Sequence, residues 1–203
     1  MIHKRMLITM QRAKRIAVIG AHGVGKNTLC IKLLEREKFN QRGVNVTYMP
    51  ETVRSTMFMD ANILEKEIGG SVDSCSWLFH RHWSQMLEHE YSCDVLISKR
   101  LPLDYVVFNQ CAHKAGLADD LLDDEYMDLA VKQARSFDEV WFVRMDSSYE
   151  LVNDSVRDGR SGDAEMQFLW DQVYEQVIEE EGVHVIEGTC KSLLDLHFNH
   201  PVN

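Results

Sequence analysis

The chain predicts a three-layer α/β fold, a five-stranded parallel sheet with helices on both faces. Three observations lead there. Five apolar runs of strand length, rich in β-branched and aromatic residues, recur along the sequence. Segments of helical length separate them, and such alternation favours parallel pairing with right-handed crossovers. The 203 residues are 45% hydrophobic and 27% charged, a globular composition with enough chain for a substantial core.

Lys14–Gly20 (KRIAVIG) is the first strand. A Gly-rich stretch follows, then a helix from about Lys26 to Lys38. Val44–Met49 (VNVTYM) is the second strand, ended by Pro50. Glu51–Met59 and Asn62–Glu67 read as short helices, Gly69-Gly70 breaks the chain, and Ser71–Tyr91 reads as one long helix. Asp94–Ser98 (DVLIS) is the third strand, and Pro102 suits the first turn of the helix after it. Helices at about Leu103–Ala115 and Asp123–Ala134 precede the fourth strand, Glu139–Val143 (EVWFV). A polar stretch, Asp154–Asp163, interrupts two helices, and His184–Ile186 is a fifth strand ending at Gly188. With no repeat, linker or low-complexity tract, residues 1–203 are expected to form a single domain. Sheets of this kind bind ligands at the carboxyl ends of their strands.

Charge and cysteine usage narrow the function. The formal net charge of -10 disfavours broad nucleic-acid affinity, so DNA is allowed as a partner only through a local basic groove. Five widely spaced cysteines with no CxxC read as reduced thiols of a cytoplasmic protein, not as a zinc site. His80, His82 and His89 on the long helix read as surface or satisfied core residues. The basic N-terminus MIHKRMLITMQRAKR lacks the apolar core of a secretory signal. No apolar run approaches the ~20 residues of a membrane span, so no membrane association is expected. Oligomeric state is left open.

Gly20-Ala21-His22-Gly23-Val24-Gly25-Lys26 matches the first seven positions of the phosphate-binding pattern GxxxxGK[ST], between a strand and a helix as the pattern requires. Glycines let backbone N–H groups turn inward around phosphates, and the helix N-terminus adds its positive dipole end. Lys26 would reach the β- and γ-phosphates. Gly20, His22, Gly23, Val24, Gly25, Lys26, Asn27 and Thr28 are therefore the expected nucleotide contacts, with ATP as the ligand. The eighth position, normally a Ser or Thr hydroxyl on Mg²⁺, is Asn27. Thr28 is rotated about 100° around the helix and does not replace it. Asn27 offers a weaker ligand, a neutral amide oxygen, so Mg²⁺ is expected to be weakly held or rearranged.

Four further segments bear on the reaction. They are Pro50-Glu51-Thr52-Val53-Arg54 after the second strand, Ser98-Lys99-Arg100-Leu101-Pro102-Leu103-Asp104 at the end of the third, Asp154–Asp163 (DSVRDGRSGD), and Val185-Ile186-Glu187-Gly188-Thr189 near the fifth. With the phosphate loop, they make the chain from Lys14 to Gly188 resemble the P-loop nucleoside and nucleotide kinases, including the kinase-like ATPases of phage genomes. The resemblance implies that Glu51 faces the acceptor hydroxyl and that Arg54 binds an acceptor-side or transferring phosphate. It matches Arg100 to the arginine of an acidic-residue–Arg motif, with Lys99 standing where the metal-holding acid belongs. Asp104 would be a surface or capping residue. It makes residues 154–163 a lid whose Arg157 and Arg160 would supply positive charge, with Gly159 and Gly162 as hinges. It puts an adenine contact near Gly188. Residues 60–91 would line the acceptor side, where Phe79, Arg81, Trp83 and Gln85 are candidates for base recognition, though such a stripe is more often core.

The expected function is ATP-dependent phosphoryl transfer to a nucleoside, nucleotide or related small metabolite, with a modified pyrimidine of a phage pathway as one variant. Lys26, Glu51, Arg100, Arg157 and Arg160 would carry catalysis, and Glu51, Arg54 and Arg100 would hold the acceptor. The alternative is a nucleotide-binding protein without catalysis, motivated by Asn27 and Lys99. A GTPase switch is disfavoured because Arg144-Met145-Asp146 follows the fourth strand instead of Asn-Lys-x-Asp.

Overall fold

The computed structural model describes residues 12–40, 43–50, 71–146 and 164–198. Its strands are β1 (Lys14–Ile19), β2 (Val46–Met49), β3 (Val95–Lys99), β4 (Glu139–Arg144) and β5 (Ile186–Thr189). Its helices are α1 (Lys26–Asn40), α2 (Val72–Glu90), α3 (Pro102–Lys114), α4 (Asp124–Ala134), α5 (Ala164–Glu180) and α6 (Cys190–His197). The expected short helices at Glu51–Met59 and Asn62–Glu67, and the polar stretch Asp154–Asp163, lie outside the described residues.

The strands form one parallel sheet in the order β2-β3-β1-β4-β5. Period-2 alternation splits it into two apolar faces. Ile16 and Val18 of β1, Val95 and Ile97 of β3, and Trp141 and Val143 of β4 pack with Leu29, Cys30 and Leu33 of α1 and Leu193 of α6. Ala17 and Ile19, Leu96, and Val140 and Phe142 pack on the other face with α2, α3, α4 and α5. The result is the predicted three-layer α/β arrangement. Because every strand is parallel, all five carboxyl ends meet at one edge, where the β1–α1 loop sits.

Two boundaries differ from expectation. β2 begins at Val46 because the Asn45 carbonyl accepts from the backbone N–H groups of Asp94 and Val95, at 2.9 and 3.2 Å, and fixes the strand entry. β5 pairs Trp141 with Ile186 and Arg144 with Thr189, so Gly188 lies inside the strand instead of ending it. The glycine there answers to packing: an added Cβ would stand 2.6 Å from Ser192 Oγ. Helix α6 was not expected from the sequence. Its signal was present, since Thr189 Oγ1 caps it by accepting from Ser192 N at 3.2 Å.

All five cysteines are free thiols. Among the described residues, no helix is long and apolar enough to cross a membrane.

Candidate active site

The phosphate loop joins the end of β1 to the start of α1 and turns on glycines with positive φ. Gly20 has φ +132, and a Cβ there would lie 2.4 Å from the Val143 carbonyl oxygen of β4. Gly25 has φ +95, and a Cβ there would lie 2.7 Å from Cys190 Sγ. Backbone strain and overlap with main-chain atoms together make Gly20→Ala expensive, and we expect it to cost about 2–4 kcal/mol in denaturant unfolding. A loss below 0.5 kcal/mol on the ~1 kcal/mol scale of ordinary substitutions would mean that the loop is not pinned against β4.

Lys26 opens α1 and is 5% exposed. Its ammonium donates to the Gly20 carbonyl at 2.7 Å and to the Ala21 carbonyl, so it is folded back into the loop. The first turn of α1 holds no acidic residue of its own to offset the positive end of the helix dipole. Val24 packs against the α1-side core, while Asn27 and Thr28 are exposed. His22 sits beside the Trp170 ring of α5, centroids 4.5 Å apart, and edge-on to Phe108 of α3 at 6.3 Å.

Two successive residues at the end of β3 send cations to opposite faces of the sheet. Lys99, paired in register with Val18, continues the Val95–Ile97 side and so faces α1; it is 9% exposed. The Cys30 thiol, lifted to about 12 by burial, feels the opposing pull of Lys99 and then of Lys26. Arg100 has the left-handed φ of +90 and turns toward α3. Its Nη1 donates to Asp104 Oδ1 at 3.0 Å, and its Nη2 donates to His22, 3.1 Å from Nδ1.

Asp104 is not the surface residue expected. It is 1% exposed, and it also accepts from Tyr174 OH at 2.7 Å (Oδ1) and from the Leu101 N–H at 2.7 Å (Oδ2). The last bond is a capping interaction at the start of α3, so that half of the expectation holds. Burial and the Asp104 charge hold the Tyr174 hydroxyl well above its ordinary range, so it stays a donor. The Arg100 backbone is fixed separately. Tyr105 OH lies 3.3 Å from His82 Nδ1, His82 Nε2 lies 3.2 Å from Ser98 Oγ, and Ser98 Oγ donates to the Arg100 carbonyl at 2.7 Å. His82, fully buried, is the satisfied core histidine expected of it. Tyr105 and Tyr174 carry no motif and were missed; Ser98 stands in the quoted segment, but its role in fixing the Arg100 carbonyl was not foreseen.

The structure brings Gly20–Thr28, Lys99 and Arg100 to the carboxyl edge of the sheet. Glu51, Arg54, Arg157 and Arg160 lie outside the described residues. Phe79 is 2% exposed, stacked with Trp83 at 5.8 Å and edge-on to Tyr126 at 5.0 Å, so its ring belongs to the core, with the half-buried Trp83 packed against it. Among the described residues, no cluster of three or more His, Cys, Asp or Glu is placed to hold a metal ion. A buried ammonium at Lys99 and an exposed amide at Asn27 are a poor donor set for Mg²⁺, which prefers carboxylate and hydroxyl oxygens. The described residues do not fit that ion.

No protein-family model and no curated protein matches the chain. Solved structures do. Thymidylate kinase from Ehrlichia chaffeensis aligns at 13% identity and TM-score 0.55 over 89% of this chain and 91% of its own. Deoxyadenosine kinase from M. mycoides with bound dATP aligns at 18% and 0.59, over 91% and 97%. This is the fold of the P-loop nucleoside kinases. NadR protein in complex with NR shares it at 16% and 0.54, over 86% of this chain but 45% of NadR. At these identities the likeness is one of fold.

Proposed function

We propose that the protein transfers the terminal phosphoryl group of ATP to a nucleoside, nucleotide or related small metabolite, a modified pyrimidine of a phage pathway being one acceptor of that class. The observation that carries this reading is the cation arrangement at the strand ends: the Lys26 ammonium folded inside the glycine loop, with the Arg100 guanidinium held against His22 of the same loop. Phosphoryl transfer demands little covalent chemistry from the protein. Positioning and charge stabilisation supply most of the acceleration. Lys26 binds the β- and γ-phosphates, and Arg100 neutralises charge on the phosphoryl group in flight, joined by Arg157 and Arg160. Glu51 takes the acceptor's hydroxyl proton as its oxygen bonds the γ-phosphorus. The bridging bond then breaks and ADP leaves. Two of the fold neighbours are named as kinases of thymidylate and of deoxyadenosine, which supports a nucleoside or nucleotide acceptor.

ADP release measured across a panel of nucleosides and nucleotides tests this directly. For the best acceptor, Glu51→Gln should lower kcat by roughly 10²–10⁴-fold and leave ATP affinity almost unchanged. No ADP release with any acceptor would reject transfer. It would favour the second reading, a nucleotide-binding protein without catalysis, which the buried Lys99 ammonium supports.

A further inference from the structure

We infer that Asp104, with Tyr174, positions Arg100 so that its Nη2 faces the terminal phosphate of a triphosphate in the loop. The inference rests on the phosphate-loop reading above. A residue other than glycine at φ +90 is strained, commonly by about 1–3 kcal/mol, and such strain persists where surrounding contacts over-determine it. Here both ends of Arg100 are fixed: the carbonyl by Ser98, the guanidinium by Asp104.

The pattern of bonds to Asp104 gives the arrangement its direction. Arginine and carboxylate favour a bidentate pair, which would turn both Nη groups toward the acid. At Asp104 the second oxygen is already committed to the Leu101 N–H, and the first is shared with Tyr174 OH. Arg100 engages Asp104 through Nη1, and its Nη2 donates to His22 in the phosphate loop. Tyr174 reaches this point from α5, its ring packed 5.4 Å from Phe142 at the sheet centre, so the carboxylate is clamped between α3 and α5. A buried ion pair is weak evidence for stability, since apolar groups of the same shape often serve as well. A monodentate pair whose arginine also donates into the phosphate loop is better explained as positioning.

The test compares ATP with ADP by calorimetry, because their affinity ratio isolates the terminal phosphate. Arg100→Ala should lower the ATP-to-ADP ratio by about tenfold or more, the scale of a charge-assisted hydrogen bond. Tyr174→Phe, which removes one hydroxyl, should lower it about three- to tenfold, and Asp104→Asn at least as far. In the Arg100→Ala background, Tyr174→Phe should change nothing more. A merely structural Tyr174 would lower the melting temperature and leave the ratio alone. An unchanged ratio in Arg100→Ala or Tyr174→Phe, or an equal effect of Tyr174→Phe with and without Arg100, overturns the inference. Wild-type protein that binds neither ATP nor ADP removes the phosphate-loop reading and the inference with it. Wild-type protein that binds both without turnover removes only the transferase reading.

Discussion

Lys26→Ala should erase most of the thermal stabilisation that ATP confers. A ligand at a hundred times its Kd stabilises the native state by about 2.7 kcal/mol. Loss of a buried ammonium that meets phosphate oxygens costs about 2–4 kcal/mol of affinity, roughly 30- to 1,000-fold. At the same ATP concentration the variant is between about three-quarters and one-tenth saturated, and the stabilisation that remains is below about 1 kcal/mol. The geometry explains why this residue outweighs its neighbours. Lys26 is buried and aimed into the loop, while Asn27 and Thr28 on the same helical turn are exposed. Gln167→Ala, a change on α5 beside Gly23, removes no charge and should move the ATP-induced shift far less. The measurement is the melting temperature of each variant with and without millimolar ATP. An undiminished shift in Lys26→Ala, or no shift in the wild type, would remove the phosphate loop from the proposed function.

The fold was legible because its signals are local. Each strand is a short apolar run, and the glycine loop needs only the seven residues from Gly20 to Lys26. Gly188 and Asp104 show where local reading stops. A glycine after an apolar run looks like a strand end, yet Gly188 is required by Ser192 and Leu193 packing onto β5. An aspartate in the first turn of a helix looks like a cap, and Asp104 is one. Its second role depends on Tyr174, 70 residues away in sequence, and on a left-handed backbone at Arg100 that no propensity for arginine would suggest. The stripe of Phe79 and Trp83 had two readings at the sequence level. For Phe79 burial favours the core reading, since the ring is 2% exposed with Tyr126 of α4 edge-on to it.

Triphosphate binding should depend only weakly on Mg²⁺. The metal in P-loop enzymes is held by a hydroxyl at the position of Asn27 and by a carboxylate at a strand end. Here the hydroxyl is replaced by an exposed amide. The end of β3 beside Val18 carries the buried Lys99, on the face covered by α1 and within electrostatic reach of Cys30, as is Lys26. An ammonium ~4 Å from a cation repels it by about 1–4 kcal/mol per unit of charge, for effective dielectrics between bulk water and a protein surface. The same ammonium would attract phosphate oxygens directly and supply part of the neutralisation a metal would give. We therefore expect ATP affinity to change less than about threefold on chelation, under 1 kcal/mol. Asn27→Thr with Lys99→Asp should restore a hydroxyl and a carboxylate, and with them a strong dependence on Mg²⁺. Lys99→Ala separates the two effects, because it removes the repulsion and supplies no ligand; its metal-free ATP affinity should fall. Titrations of all three proteins with ATP, with Mg²⁺ and with chelator, decide the matter. A tenfold or greater loss of wild-type affinity on chelation would show that Asn27 ligates the ion through its amide oxygen and that Lys99 does not stand in for it.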